Sequence, residues 1–563
     1  MRILIIASAF NSLTQRVFAE LRDRDHRPAV HLVRSDDALR QAVRDHDPEL
    51  ILAPMLRTAI PEDVWRAHTC LVVHPGPPGD RGPSSLDWAI HERADSWGVT
   101  VLQADEVMDA GDVWASADCP LPPVGKSDLY RNEVSDAATA AVLLAVERFA
   151  SGHAPRSQRG PDWTADDHTR PYLDQGVRRI DWEADTTGEA LRKLRAADSQ
   201  PGVLDEFLDG QWFLHGGCRE DRLRGNPGQW LATRTGAVCR ATADGAVWIP
   251  ELRARRTPGG PATFKLPATL ALGDRLPRLP EVVAPLMLPQ DRHTWSDIRY
   301  HEDGPVGFLR FSFPGGAMGT SHCVRLLEAY RFACSRPTSV LVLGGGRDFF
   351  SNGIHLNVIE AAADPAAESW ANINAMDDLV EAVLTTTDRL TVAALGGNAA
   401  AGGAMLALAA DEVWCREGVL LNPHYRLMGL YGSEYWTYTL PRRVGRATAD
   451  RLTRQALPVT ASTAHRLGLV DRLLPCAPQD FGHEVARYAR LLASVPLGHA
   501  RITAKKSARE HDEAAKPLAA YRAEELDEMH RNFFGPGEPY HALRSAFVRK
   551  ESAPDAVEPV VGR

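Results

Sequence analysis

Four short runs of β-compatible residues, RILIIA (2–7), PAVHLV (28–33), ELILA (49–53) and TCLVV (69–73), alternate with polar stretches carrying apolar residues at helical spacing, such as SLTQRVFAELRDR. Buried strands separated by amphipathic helices predict a parallel sheet with helices on its faces. In such sheets ligands gather at the carboxyl ends of the strands. His74 closes the fourth run and opens the loop PGPPGDRGP (75–83). One imidazole therefore stands where the chain turns sharply at the reactive edge of the predicted sheet.

Further along, the pattern changes twice. SGHAPRSQRGPDWTADDHTRPY (151–172) is polar and rich in Gly, Pro and Asp, and reads as a linker. Thr186 lies three residues before Glu189, a capping-box start for a helix. The strand-like runs GQWFLHGG and GAVCRATADGAVWIPEL follow, with glycine turns, and PRLPEVVAPLMLP (277–289) reads as a semi-rigid spacer. From about residue 293, VGFLRFSF and TSVLVLGGG predict buried strands on either side of the helically spaced CVRLLEAYRFAC. NAAAGGAMLALAADEVWC then joins small residues to an apolar helix. The chain thus divides into an α/β parallel-sheet domain over 1–150, a small β-rich, OB-like domain over 172–275 and a second α/β domain over 293–550. The closing ESAPDAVEPVVGR has little to bury and predicts disorder.

Composition narrows the possible functions. The 563 residues carry 64 Lys and Arg against 73 Asp and Glu, a net charge of −9 with no basic block, which disfavours a nucleic-acid partner. Any anionic ligand then needs a local basic patch. The apolar run at the N-terminus suits a first buried strand better than a secretion signal, and nothing approaches the ~18 uninterrupted apolar residues of a membrane span. Eight cysteines lie far apart with no C-x-x-C, which indicates neither a metal site nor a disulfide framework. These features point to a cytoplasmic protein that handles small molecules.

The chemistry starts at His74. Asp109, in VMDAGDVW, occupies another strand-to-turn junction with a glycine two residues on. An aspartate beside a histidine fixes the tautomer and raises the imidazole pKa, which suits a general acid/base at neutral pH. Spacing alone leaves open whether the two meet, and an ordinary loop-facing histidine is the alternative.

The stretches PELILAPMLRTAIP, VVHPGPPGDRGPSSLDWAI and MDAGD give residues 1–115 a resemblance to the catalytic domain of enzymes that transfer the formyl group of 10-formyltetrahydrofolate. Residues 180–252 resemble the small carboxy-terminal domain of methionyl-tRNA formyltransferases. The resemblance implies that His74 and Asp109 are the histidine and aspartate of that family's Asn-x-His plus Asp set, with Val72 at the asparagine position. Valine donates no hydrogen bond, so either another donor replaces it, or the acceptor is easier than an amine, as a thiol is, or transfer has been lost. The loop 75–83 would shape the folate side of the pocket, with Asp80 and Arg81 as polar candidates and solvated surface as their alternative.

GGGRDFFSNGIHLN (344–357) and GGNAAAGGAMLALAADE (396–412) are two glycine turns of the kind that expose backbone N–H groups; facing each other, they make an oxyanion hole. Tight packing is the alternative for either turn alone. These stretches and ALPVTASTAHRLGLVDRLLP (456–475) resemble the crotonase, or enoyl-CoA hydratase/isomerase, superfamily over about 295–510. That resemblance implies N–H donors at Ile354, just after Gly353, and at Gly402. It also places Met405 and His424 where hydratases carry two glutamates, which disfavours hydration because methionine moves no proton. NPHYRLMGLYGSEYWTYTLPRR supplies Glu434 as a candidate base and Tyr425 as a candidate to assist a leaving thiolate, while a buried Glu434 paired with Arg442 or Arg443 is the alternative. Arg347 and the Lys505–Lys506 pair are candidates for the phosphates of coenzyme A, solvated helix charge being the alternative for the lysines.

The order formyltransferase-like, β-rich, crotonase-like, together with VHPGPPGDRGPSSLDWAI and GLYGSEYWTYTLPRRVG, resembles the HypX/HoxX family of hydrogenase maturation proteins over nearly the whole chain. The resemblance implies formyl transfer from 10-formyltetrahydrofolate to coenzyme A, then decarbonylation of formyl-CoA to carbon monoxide for the iron of a nickel–iron hydrogenase. A maturation complex would then be a partner. An amine formyltransferase, a formyl-CoA hydrolase and a non-catalytic maturation scaffold remain open as alternatives.

Overall fold

A computed structural model describes residues 1–158, 168–289, 291–494 and 498–551. The middle of the expected linker and nearly all of the expected disordered tail lie outside these residues. The described residues form two compact units, one built from Met1–Asp205 with Phe213–Gly217, the other from Glu206–Trp212 with the described residues from Cys218 to Glu551.

The first unit is built on a six-stranded sheet. Strands β1 (Arg2–Ala7), β2 (Arg27–Leu32), β3 (Leu50–Met55) and β4 (Cys70–His74) match the four β-compatible runs and are parallel, in the order β2-β1-β3-β4. Ile3 to Ala7 are all buried, as a strand covered on both faces requires. Helix α1 (Ser12–Arg22) begins where the Asn11 side chain accepts the Thr14 N–H, and turns Leu13, Val17, Phe18 and Leu21 inward. Helix α2 (Asp36–His46) is capped by Ser35 in the same way. After helix α3 (Ser85–His91) the expected parallel pattern gives way: β5 (Ser96–Gln103) runs antiparallel to β4, and β6 (Val113–Pro120) antiparallel to β5. The connection from β5 to β6 contains no helix, and without a long crossover the chain can only fold back as a hairpin. Helix α4 (Glu133–Ala150) packs on these two strands. Helix α5 (Thr187–Ala197) starts with the expected capping box: Thr186 Oγ1 accepts the Glu189 N–H, and Glu189 Oε2 accepts the Thr186 N–H.

The second unit contains an antiparallel sheet of β7 (Cys218–Glu220), β8 (Trp230–Arg234), β9 (Ala237–Ala241) and β10 (Ala246–Ile249), in the order β7-β10-β9-β8. The proline-rich spacer is fastened along β8, with the Val282 N–H donating to Thr233 O and the Thr233 N–H to Pro280 O, both at 2.9 Å. Beyond it lies a second six-stranded sheet, β11 (Ile298–Asp303), β12 (Val306–Phe311), β13 (Val340–Gly344), β14 (Leu390–Leu395), β15 (Glu412–Arg416) and β16 (Arg472–Leu474), ordered β11 to β16. Only the β11–β12 pair is antiparallel. Around it lie α6 (Thr320–Cys334), α7 (Pro365–Thr385), α8 (Gly402–Leu408), α9 (Trp436–Val444), α10 (Gly498–Ala515) and α11 (Leu518–Phe534). Helix α7 packs against both α6 and α11. No described helix is long and apolar enough to cross a membrane.

Candidate functional sites

His74 ends β4 and is buried. Its Nε2 lies 2.8 Å from Asp80 Oδ2, while Nδ1 faces Asp109 Oδ1 at 3.5 Å. Asp109, the candidate partner from its own strand-to-turn junction, thus faces the ring, but the shorter contact goes to Asp80, expected on the folate side. An ionised carboxylate only accepts, so the Asp80 contact suits the tautomer with hydrogen on Nε2, which leaves Nδ1 as the nitrogen that faces Asp109.

The loop is shaped around this contact. A side chain on Gly76 would put its Cβ 2.3 Å from Asp80 Oδ2 and 2.5 Å from His74 Nε2, so only glycine lets the pair close. Three side-chain donors tie the loop carbonyls down: Thr100 Oγ1 to Gly76 O, Ser85 Oγ to Pro75 O and Trp97 Nε1 to Pro75 O, all at 2.8–2.9 Å. Asp109, in a left-handed conformation with φ 60°, accepts the Gly82 N–H at 3.2 Å. Asp80 Oδ1 is buried and meets no donor among the described residues. Arg81 is half-buried at the rim of this loop, and Val72 packs against the apolar cluster of Leu4, Ile6, Ile51 and Cys70.

The second site lies in the other unit. Segments 350–354 and 398–402 run side by side, joined by the Phe350 N–H to Asn398 O and the Ala400 N–H to Ser351 O. Gly353 has φ 79°, and its added Cβ would sit 3.2 Å from Gly402 N, so the Ile354 and Gly402 turns adjoin. Gly402 is the first residue of α8, where N–H groups lack helical acceptors. Among the described residues neither the Ile354 N–H nor the Gly402 N–H has an acceptor. Both remain available to a carbonyl oxygen.

Glu434 stands beside them. A Cβ on Gly402 would fall 1.9 Å from Glu434 Oε1, so the carboxyl occupies the space that glycine leaves. Tyr425 donates its hydroxyl to Glu434 Oε2 at 2.8 Å, and Gly432, at φ 96°, leaves room for the Tyr425 ring. The alternative partners lie elsewhere, Arg442 on Asp512 and Arg443 on Asp471. Met405 is buried in α8, and His424 donates its Nδ1–H to Asn422 O at 3.0 Å, its pKa lowered by burial. Arg347 is half-buried in the turn after β13. Lys505 is matched by Asp411 at 2.7 Å, in a cleft of about 290 Å³ shared with Tyr438 and Arg509, whereas Lys506 is exposed.

Burial raises the Glu434 carboxyl to about 8, helped by the neighbouring Asp377. Burial likewise pushes Asp377 up to about 7 and Glu525 to about 8. Folding therefore favours the protonated forms of all three, and the stability they contribute is full below the ordinary carboxyl range near ~4 and lost as pH rises through 7 to 8. The thermal midpoint should fall between pH 6 and pH 9, and Glu434→Gln should flatten that fall; an equal slope in the variant would contradict the assignment to Glu434.

Asp377 and Glu525, with Asn372, belong to this site but escaped the motif reading. Each carboxylate occupies a position on the buried face of its helix, among Ile373, Met376 and Val380 on α7 and Leu518, Met529 and Phe533 on α11. A charge on an apolar stripe was the available signal.

Comparison with known proteins matches residues 27–146 to the formyl transferase family and residues 323–536 to the enoyl-CoA hydratase/isomerase family. Hydrogenase maturation factor HoxX of Bradyrhizobium diazoefficiens is 47% identical over 552 residues, covering 98% of this chain and 95% of that protein. 4-Chlorobenzoyl coenzyme A dehalogenase-2 of an Arthrobacter species is 31% identical over 204 residues, covering 35% of this chain and 71% of that protein. The crystal structure of HypX from Aquifex aeolicus in complex with tetrahydrofolic acid superposes with a TM-score of 0.94 at 42% identity, covering 100% of this chain and 98% of that one.

Proposed function

This chain belongs to the HypX/HoxX family of hydrogenase maturation factors, and on that premise we propose that it makes carbon monoxide from the formyl group of 10-formyltetrahydrofolate by way of formyl-CoA. In the first site His74 Nδ1 takes the proton of the coenzyme A thiol, with Asp80 holding the ring and Asp109 stabilising the imidazolium. Sulfur attacks the formyl carbon, the bond to the folate nitrogen breaks, and the imidazolium returns the proton to that nitrogen. The products are tetrahydrofolate and formyl-CoA. A thiolate needs less help than an amine, which is consistent with Val72 in place of an amide donor. The tetrahydrofolic acid held by the Aquifex relative supports a folate site in this fold.

In the second site the formyl oxygen lies between the Ile354 and Gly402 N–H groups, which stabilise charge as the thioester breaks. Glu434 takes the formyl hydrogen as a proton, the C–H electron pair stays on carbon, and the C–S pair leaves with sulfur. Carbon monoxide departs. Tyr425 protonates the thiolate and recovers a proton from Glu434, so the relay regenerates coenzyme A and the starting carboxylate. Arg347 and Lys506 are the cations we assign to the coenzyme A phosphates, with Lys505 joining only if its pair with Asp411 opens. The gas would become a ligand of hydrogenase iron, with a nickel–iron hydrogenase maturation complex as recipient.

The observation that carries this reading is the Glu434–Tyr425 pair beside the Gly402 amide, on a chain with Met405 and His424 in place of the hydratase glutamates. Supplied formyl-CoA should yield carbon monoxide and free thiol in equal amounts, at a rate that rises with pH through about 8 as Glu434 ionises. Formate in place of the gas would identify a hydrolase.

A further inference from the structure

The chain enters α9 through two consecutive residues in the left-handed region, Glu434 at φ 59° and Tyr435 at φ 60°. Bulky L-residues avoid this conformation, and a pair of them persists only where the surroundings over-determine the backbone. Two buried carboxylates from different helices do so here. Asp377 on α7 accepts the Glu434 N–H at 2.8 Å and the Ser433 hydroxyl at 2.7 Å. Glu525 on α11 accepts the N–H groups of Tyr435 and Thr437, each at 2.8 Å. Both carboxylates are 0% exposed.

Helix α7 also fixes the opposite half of the site. Asn372 Oδ1 accepts the His355 N–H at 3.1 Å, and Asn372 Nδ2 donates to Met318 O at 2.9 Å. The Met318 N–H in turn holds Gly353 O at 2.9 Å. One helix thus sets the Ile354 turn and, five residues on, the Glu434 turn.

We propose that Asp377 is a positioning residue for Glu434, seconded by Glu525: together they bend the 433–437 backbone so that the Glu434 carboxyl fills the space beside Gly402. The inference rests on the reading of Glu434 as the base. The titratable and charged groups around Glu434 are the Tyr425 hydroxyl, Asp377 on α7, Glu525 on α11 and the Cys323 thiol on α6. Arg522 on α11 stands 3.8 Å from Asp377 but is shared with Asp378 and Glu381, so it offsets the Asp377 charge only in part. Asp377 therefore acts on Glu434 through both the backbone and its charge.

Asp377→Asn keeps the shape and one acceptor but removes the negative charge. With supplied formyl-CoA, the acidic limb of carbon monoxide release should move to lower pH by about one unit, because the neighbour that disfavours Glu434 ionisation is gone. Asp377→Ala removes both acceptors and should lower release at least about tenfold, with coenzyme A affinity unchanged. Should the alanine variant fail to fold, Asp377→Asn and Glu525→Gln carry the test, the latter lowering release without an equal shift of the limb. A wild-type rate and an unshifted limb in Asp377→Asn would overturn the inference. Glu434→Gln run in parallel separates the two claims: full release there sinks the base assignment itself, whereas an inactive Glu434→Gln beside an unshifted Asp377→Asn sinks only the positioning role.

Discussion

Glu434→Gln should stop gas release while formyl-CoA continues to form. Glutamine matches the carboxyl in size and still accepts the Tyr425 hydroxyl, so the packing beside Gly402 persists and only the proton acceptor is lost. General-base catalysis contributes about 10²–10⁴-fold, so release from supplied formyl-CoA should drop at least about a hundredfold. Incubated with 10-formyltetrahydrofolate and coenzyme A, the variant should accumulate formyl-CoA, measurable by chromatography. Its thermal midpoint at pH 8 should match or exceed the parent's, since no charge is left to bury at that position. Carbon monoxide at the original rate would refute the role.

His74→Asn should give the complementary result. The substitution removes the ring that Asp80 and Asp109 flank at 2.8 and 3.5 Å, and with it the group that carries the thiol proton. Transfer from 10-formyltetrahydrofolate should fall by about 10²–10⁴-fold, while release of gas from supplied formyl-CoA is unchanged. Tetrahydrofolate formation, followed by absorbance, reads the first step; haemoglobin trapping reads the second. A variant that transfers formyl at the parent's rate would remove His74 from the mechanism and move attention to Asp80.

The two sites were legible in the sequence to different depths. Short runs of β-compatible residues between helically spaced stretches marked the four parallel strands, and the Gly/Pro loop directly after the fourth run placed His74 at a strand end. The capping box at Thr186 and Glu189 was readable because both partners lie within one turn. The glycine turns before Ile354 and at Gly402 were readable as turns, since the backbone geometry is local to each.

What stayed hidden depended on contacts between distant positions. Asp80 was expected in the folate pocket; its place under His74 follows from how the proline loop folds back across Gly76, which no spacing rule encodes. The antiparallel edge of the first sheet escaped because β5 and β6 look like any other buried strands. Asp377 meets Glu434 across 57 positions, and Glu525 meets Tyr435 across 90. Their one local trace is a carboxylate on an otherwise apolar helical stripe. Such a position costs several kcal/mol unless the charge is neutralised or hydrogen-bonded, so it marks a buried polar site before any contact is known.

The most direct measurement gives the full-length protein 10-formyltetrahydrofolate with a carbon-labelled formyl group, with and without coenzyme A, and collects released gas on deoxyhaemoglobin while the solution is analysed for labelled products. Labelled carbon monoxide that appears only when coenzyme A is present, with tetrahydrofolate formed in equal amount, is the expected result. Label recovered as formate or as a formylated amine, with no gas, would contradict the formation of carbon monoxide through formyl-CoA.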